Sequence, residues 1–365
     1  MAITVFHDLL ALMVESDASD VHIKPGVPSV FRLGNGLTDT SFIPDADTMT
    51  IFISQVASQE QIQEYKKNGD LDLSLYEDGI GRFRVNIHRQ RGLIGITFRW
   101  VKSEILTFEQ LGLPMVLTEI AKAKRGIIII TGTTGSGKST TMAAILQYIN
   151  TYRQEHVITI EDPIEFEFQD EQSVFEQREV GLDTDSFAGA LKHALRQDPD
   201  IIMVGEMRDR ISFEAALQAA DTGHLVITTL HASNASQTIT RILDMFEKNE
   251  QDAIREALAA NLCAVISQRL APVIGGVGRA PVNEIMLNTP IVNKLIQEDR
   301  MEKLSSAIQA GQGDGMMSFN QCLLELVNAG KVTREDALAI SDNPEGLKMN
   351  FEGIFLSSDA GGLVG

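Results

Sequence analysis

An α/β protein of two domains is the fold this sequence predicts, and three observations lead there. The chain has 365 residues, more than one ordinary domain needs. Between residues 126 and 230, short apolar strands alternate with amphipathic helical stretches, the pattern of βαβ units and a parallel, doubly wound sheet. Ahead of them, the first hundred residues carry helical and alternating segments of their own, enough for a small separate α/β domain.

In that first domain, Phe6, Leu9, Leu10, Leu12, Met13 and Val14 form the apolar set of a first helix. Ser19-Asp20-Val21-His22-Ile23 alternates as a half-buried strand, residues 29–33 form a second, and Gly34-Asn35-Gly36 is a hairpin signal. Residues 47–67 read as one helix, while residues 81–89 and 94–101 return to strand. Residues 102–114, polar and turn-rich, make a linker, which bounds the first domain at 1–101. The second domain then covers 115–350, with strands at 126–130, 157–160, 201–204 and 225–230. Beyond residue 236 the strand signal thins and helices dominate, residues 252–270 most clearly. Residues 351–365 are expected to be a flexible tail.

Composition excludes several classes. Lys and Arg number 31 against 50 Asp and Glu, a net charge of −19 that repels phosphate backbones and argues against a nucleic-acid-coating protein. The two cysteines, Cys263 and Cys322, are too far apart for a CxxC metal site. No apolar run approaches the roughly 20 residues that span a bilayer, and the N-terminus has no basic leader, so a cytoplasmic protein is expected.

The chemistry is most legible at Gly132-Thr133-Thr134-Gly135-Ser136-Gly137-Lys138-Ser139-Thr140, a complete G-x-x-x-x-G-K-[ST] loop between an apolar strand and a helix. Its glycines let backbone N–H groups turn toward phosphates at the positive end of the helix. Lys138 is placed to reach the β- and γ-oxygens, and Ser139 to offer an oxygen to Mg²⁺. Glu206, ending the apolar strand 201–204, is the carboxylate such a site needs for Mg²⁺ or water. Glu161, Asp162 and Glu165 put three more carboxylates near another strand's end, where one can deprotonate the attacking water. His224 and His231 bracket the strand between them and read better as γ-phosphate sensors than as metal ligands, because no further ligand has suitable spacing.

On these residues, together with Leu195-Arg196-Gln197-Asp198-Pro199-Asp200 and Gly205-Glu206-Met207-Arg208-Asp209, the sequence resembles the type II/IV secretion ATPase superfamily. Within it the likeness is to the PilT/PilU retraction ATPases of type IV pili. The resemblance implies a PAS-like N-terminal domain, a RecA-like P-loop domain with a helical C-terminal portion, and a homo-hexamer using ATP and Mg²⁺. It makes Glu165 the catalytic glutamate, Glu206 the Walker B glutamate, and His224 and His231 the His-box residues. Arg82, Arg84 and Arg99 match arginines that family members direct at the nucleotide.

Function then follows as an ATP-hydrolysing motor for pilus retraction and twitching motility, docked on an inner-membrane platform protein and so peripheral to that membrane. Two alternatives stay open: an accessory subunit that supports a PilT-type paralogue, and a secretion or DNA-uptake ATPase of a sister branch. The accessory reading rests on Pro290-Ile291-Val292-Asn293-Lys294-Leu295-Ile296-Gln297-Glu298, where Val292 and Gln297 replace the arginines of the family's Ala-Ile-Arg-Asn-Leu-Ile-Arg-Glu motif. Leu347-Lys348-Met349-Asn350 likewise looks closer to PilU than to PilT.

Overall fold

The computed structural model describes residues 4–34, 36–101, 104–276 and 278–354. They divide into two compact units, Met1–Glu104 with Glu165–Glu167, and Ile105–Ile164 with Phe168–Gly365.

The first unit contains α1 (His7–Glu15), β1 (Asp20–Ile23), β2 (Val30–Leu33), β3 (Gly36–Asp39), α2 (Ala46–Val56), α3 (Gln59–Asn68), β4 (Asp70–Glu77), β5 (Gly81–Gln90) and β6 (Leu93–Val101). Its strands form one antiparallel sheet ordered β3-β2-β1-β6-β5-β4. The two-residue period of a strand sets its faces. On β5, Phe83, Val85 and Ile87 are buried, while Arg82, Arg84 and Asn86 take the other side. Leu10 and Met13 of α1 and Met49 and Phe52 of α2 share that core. There Phe6, Phe52 and Phe98 meet at centroid distances of 5.0 to 5.9 Å, each ring contributing about 1.5–3 kcal/mol by burial.

The single helix expected over 47–67 is two helices. Ala57 is extended, and Ser58 starts α3 with a capping box, accepting from the Gln61 N–H (3.2 Å) while its own N–H donates to Gln61 Oε1 (2.8 Å). Asn35, in the expected hairpin turn, lies outside the described residues.

The second unit opens with α4 (Phe108–Leu111) and α5 (Val116–Ile120), then β7 (Gly126–Thr131), α6 (Lys138–Tyr152), β8 (His156–Glu161), β9 (Val174–Glu179), α7 (Phe187–Ala194), β10 (Ile201–Val204), α8 (Arg210–Asp221) and β11 (Leu225–Leu230). It continues through α9 (Ala235–Leu243), α10 (Gln251–Asn261), β12 (Leu262–Pro272), β13 (Arg279–Leu287) and five short helices, α11 (Pro290–Gln297), α12 (Leu304–Ala310), α13 (Phe319–Asn328), α14 (Arg334–Ile340) and α15 (Pro344–Phe351). Seven strands form a sheet ordered β13-β12-β7-β11-β10-β8-β9, parallel except for the β12/β13 pair.

Three expectations are corrected here. The helix expected over 252–270 ends at Asn261, and β12 follows directly, so strands do not thin out beyond residue 236. Leu262, Ala264, Val265 and Ile266 form a buried apolar run, and packing against β7 wins over any helical tendency. The expected linker carries α4, whose Phe108 stacks on Tyr148 of α6 at 5.6 Å, and residues from Ile105 onward belong to the second unit. Lys102, Ser103 and residues 355–365 lie outside the described residues.

Candidate active site

The sheet's parallel strands direct their C-terminal ends to one edge, and loops after β7, β10 and β11 meet there. After β7 the chain turns through Gly132, Thr133, Thr134, Gly135, Ser136 and Gly137 into α6, which Lys138, Ser139 and Thr140 begin. Gly132 and Gly137 have φ of 151° and 85°, angles that a side chain resists. Gly137 at the N-cap has no side chain to cap α6, and the N–H groups of the first turn point out of the helix end, where an anion can accept from them. A backbone cradle at the N-terminus of a fifteen-residue helix fits the phosphates of a nucleotide. Lys138 Nζ folds over the loop, donating to the carbonyls of Gly132 (3.0 Å) and Thr133 (3.1 Å).

His231, just past β11, joins two of these loops. Its Nδ1 lies 3.3 Å from the Gly132 carbonyl and its Nε2 lies 3.2 Å from Glu206 Oε1. Arg241 Nη1 donates to the His231 carbonyl. Glu206 follows β10, and its other oxygen accepts from Arg208 Nε at 2.8 Å, a bond that pushes the Arg208 guanidinium pKa further up. Thr229 of β11 donates to the Gly205 carbonyl (2.7 Å) and tethers the Glu206 loop to the strand beside it. Gly132, Lys138, Glu206 and His231 are therefore brought together.

Ser139 and Glu206 offer the hydroxyl and carboxylate oxygens that suit Mg²⁺. Among the described residues no three His, Cys, Asp or Glu side chains form a metal cluster. An ion here would draw its remaining ligands from phosphate and water, the usual arrangement for Mg²⁺.

The other expected residues belong to other elements. His224 precedes β11, at the opposite end of that six-residue strand from the loop. Its Nδ1 meets the Ala219 carbonyl (2.9 Å) and Thr222 Oγ1 (3.1 Å), finishing the C-terminus of α8. About 20 Å of extended strand separates it from His231 within one chain. Arg82, Arg84 and Arg99 fall in the first unit's sheet, Arg84 opposite Arg99 in the β5/β6 ladder. Arg99 pairs with the buried Asp20 at 2.7 Å. Glu165 groups with the first unit. Of the carboxylates expected after β8, Glu161 is buried in the second unit, accepting from Thr159 Oγ1 (2.7 Å) and Gln177 Nε2 (3.1 Å).

Sequence reasoning passed over the wall that β12 and β13 give the site, for no motif marks it. Thr131 Oγ1 donates to Ser267 Oγ (3.1 Å), which in turn reaches Glu284 Oε1 (3.5 Å). Glu284 is only 7% exposed and also accepts from the Ala235 N–H at the start of α9 (2.8 Å). Burial pushes its carboxyl up to about 7.

Phosphate binding at such a loop, beside a carboxylate held by a histidine, is the chemistry of P-loop ATPases, and this chain is one. It belongs to the type II/IV secretion system protein family, whose model matches residues 2–337. The Type IV pilus retractation ATPase PilT of Pseudomonas aeruginosa is 41% identical over 339 residues, covering 93% of this chain and 98% of its own. The Type IV pilus ATPase PilU of the same organism is 40% identical, covering 94% and 90%. A crystal structure of the pilus retraction motor PilT with bound ADP superposes with a TM-score of 0.87 at 40% identity, covering 95% of this chain and 99% of that one. The fold is thus that of the RecA-like secretion ATPases.

Proposed function

We propose that the chain is a homo-hexameric motor that hydrolyses ATP with Mg²⁺ to retract a type IV pilus. The observation that carries this reading is the His231 bridge, because one imidazole links the phosphate loop at Gly132 to the Glu206 carboxylate. Likeness to PilT and PilU over nearly the whole length supports retraction as the work done.

Lys138 would exchange its carbonyl partners for phosphate oxygens, joined by the first-turn N–H groups of α6. Ser139 and Glu206 would hold Mg²⁺, which when bound would neutralise phosphate charge. Glu165, matching the family's catalytic glutamate, would orient and deprotonate the attacking water. Arg82, Arg84 and Arg99 would lend guanidinium forks to the γ-phosphate, and His231 would sense its loss. Among the described residues no helix is long and apolar enough to cross a membrane, so a place at the inner membrane would come through the pilus platform protein.

The test is hydrolysis by the purified protein together with its mass in solution. A hexamer that turns over ATP and falls silent in Lys138→Ala, Glu206→Ala and Glu165→Ala is expected. Wild-type turnover in both Lys138→Ala and Glu206→Ala would overturn the site. The accessory reading has one observation in its favour: Val292, which replaces a motif arginine, is fully buried in α11. A hexamer active only when a PilT-type paralogue is added would select it.

A further inference from the structure

We propose that Gln268 of β12 is a positioning residue for the phosphate loop, holding the Ser136–Gly137 peptide so that its N–H faces the bound phosphates. The proposal rests on the ATPase reading above and deepens it. Gln268 belongs to none of the motifs that mark the family in this sequence.

Strand β12 runs beside β7, with Ser267 opposite Thr131, so Gln268 lies level with the point where β7 becomes the loop. It is 3% exposed, and its amide makes three hydrogen bonds. Oε1 accepts from Thr141 Oγ1 of α6 (2.6 Å) and from Asn283 Nδ2 of β13 (3.1 Å). Nε2 donates to the carbonyl of Ser136 at 2.7 Å. Two donors on one side and a carbonyl on the other permit a single orientation of the amide.

The consequence follows from peptide planarity. In a trans peptide the C=O and the next N–H point in opposite directions. Drawing the Ser136 carbonyl toward β12 turns the Gly137 N–H away from β12. Loss of that bond frees the peptide to flip, which would present a carbonyl oxygen to an anion instead of a donor. The two glycines flanking the loop fit the same scheme. A Cβ on Gly137 would lie 2.8 Å from Gln268 Nε2, and the space for a Cβ on Gly132 is taken by the Gln268 carbonyl. Gln268 therefore braces both ends of the loop, with its backbone at one and its side chain at the other.

Two kinds of variant at Gln268 separate positioning from bulk. Gln268→Leu keeps the volume and removes every bond. Gln268→Glu keeps the shape and can accept, but it donates to Ser136 only when protonated. Charged groups on the elements packed around this amide include Lys138 of α6, which donates to the Gly132 carbonyl, and Arg279 of β13, whose Nη1 lies 3.5 Å from the Gly135 carbonyl. Glu284, on β13 opposite Ser267, follows Asn283 and so takes the other face of the sheet.

The readout is the dissociation constant of a fluorescent ADP analogue, measured on the full-length protein at pH 6 and pH 8.5, with kcat and KM for ATP. Gln268→Leu should weaken ADP binding at least tenfold at both pH values and raise KM more than it lowers kcat. Gln268→Glu should bind at least tenfold more weakly than wild type at pH 8.5 and recover most of that loss at pH 6. Affinities within twofold of wild type for both folded variants would overturn the proposal, as would a Gln268→Glu defect that ignores pH. Should neither fold, Thr141→Val removes one bond at constant volume. A two- to fivefold weakening then supports the brace, and an unchanged affinity refutes it. Failure of the wild-type protein itself to bind ADP would strike the ATPase reading instead.

Discussion

Replacing Glu284 with glutamine should stabilise the second unit, and by more in alkali than in acid. Glu284 is buried between Ser267 and the start of α9, where desolvation lifts its carboxyl from an ordinary 4.5 to about 7. The folded protein keeps this proton between roughly pH 4.5 and pH 7, whereas the unfolded chain has released it. Its contribution to stability is therefore intact below pH 4.5 and lost as pH rises through about 7. Above that the native state holds a buried carboxylate at a cost of about 3 kcal/mol. Glutamine carries no charge and keeps an oxygen to accept from the Ala235 N–H. The gain from Glu284→Gln should be about 3 kcal/mol at pH 8 and about half that at pH 5.5. At about 2–4 °C per kcal/mol for a domain of this size, the melting temperature should rise by roughly 6–12 °C at pH 8. Melting both proteins at the two pH values, each above the sequence pI of 4.8, makes the comparison internal. Equal shifts at pH 8 and pH 5.5, or a loss at both, would refute the reasoning.

Other substitutions probe other links. Gly137→Ala should leave the protein folded and weaken ADP about tenfold or more, because the residue sits at φ 85° and its Cβ would crowd Gln268; isothermal titration checks this. Arg153→Ala should lower stability by about 2–4 kcal/mol, since the half-buried guanidinium donates to the carbonyls of Ala121 (2.7 Å) and Ala123 (2.8 Å) and pairs with Glu155 (2.7 Å). A melting temperature unchanged within 2 °C would contradict that, and lysine should not restore it, lacking the planar fork.

The phosphate loop and strands β7, β8, β10 and β11 were legible because each announces itself locally, by a fixed spacing or by a short apolar run between turn residues. Leu262–Pro272 was not. A strand buried on both faces has no polar alternation to set it apart from a buried helix, and its partner β7 is remote in sequence. The break at Ser58 could have been read, since Ser58 and Gln61 have capping-box spacing. Glu206 and His231 were found by residue type at strand ends, yet their contact depends on strand order. The same reasoning could not tell His224 from His231, because two ends of one strand look alike in sequence and lie far apart in space. Gln268 was invisible for a further reason: its partners Ser136, Thr141 and Asn283 come from three separate segments.

Strand β7 carries a consequence for synthesis. Both of its partners come later in the chain, Leu225–Leu230 on one side and Leu262–Pro272 on the other. A ribosome adding about 5–20 residues per second needs roughly 7–26 s to travel from Thr131 to Leu262. Throughout that interval Ile127, Ile128, Ile129 and Ile130, all fully buried at the end, wait with at least one edge unpaired. The strand that leads into the phosphate loop is thus also a site exposed to aggregation while the chain is being made.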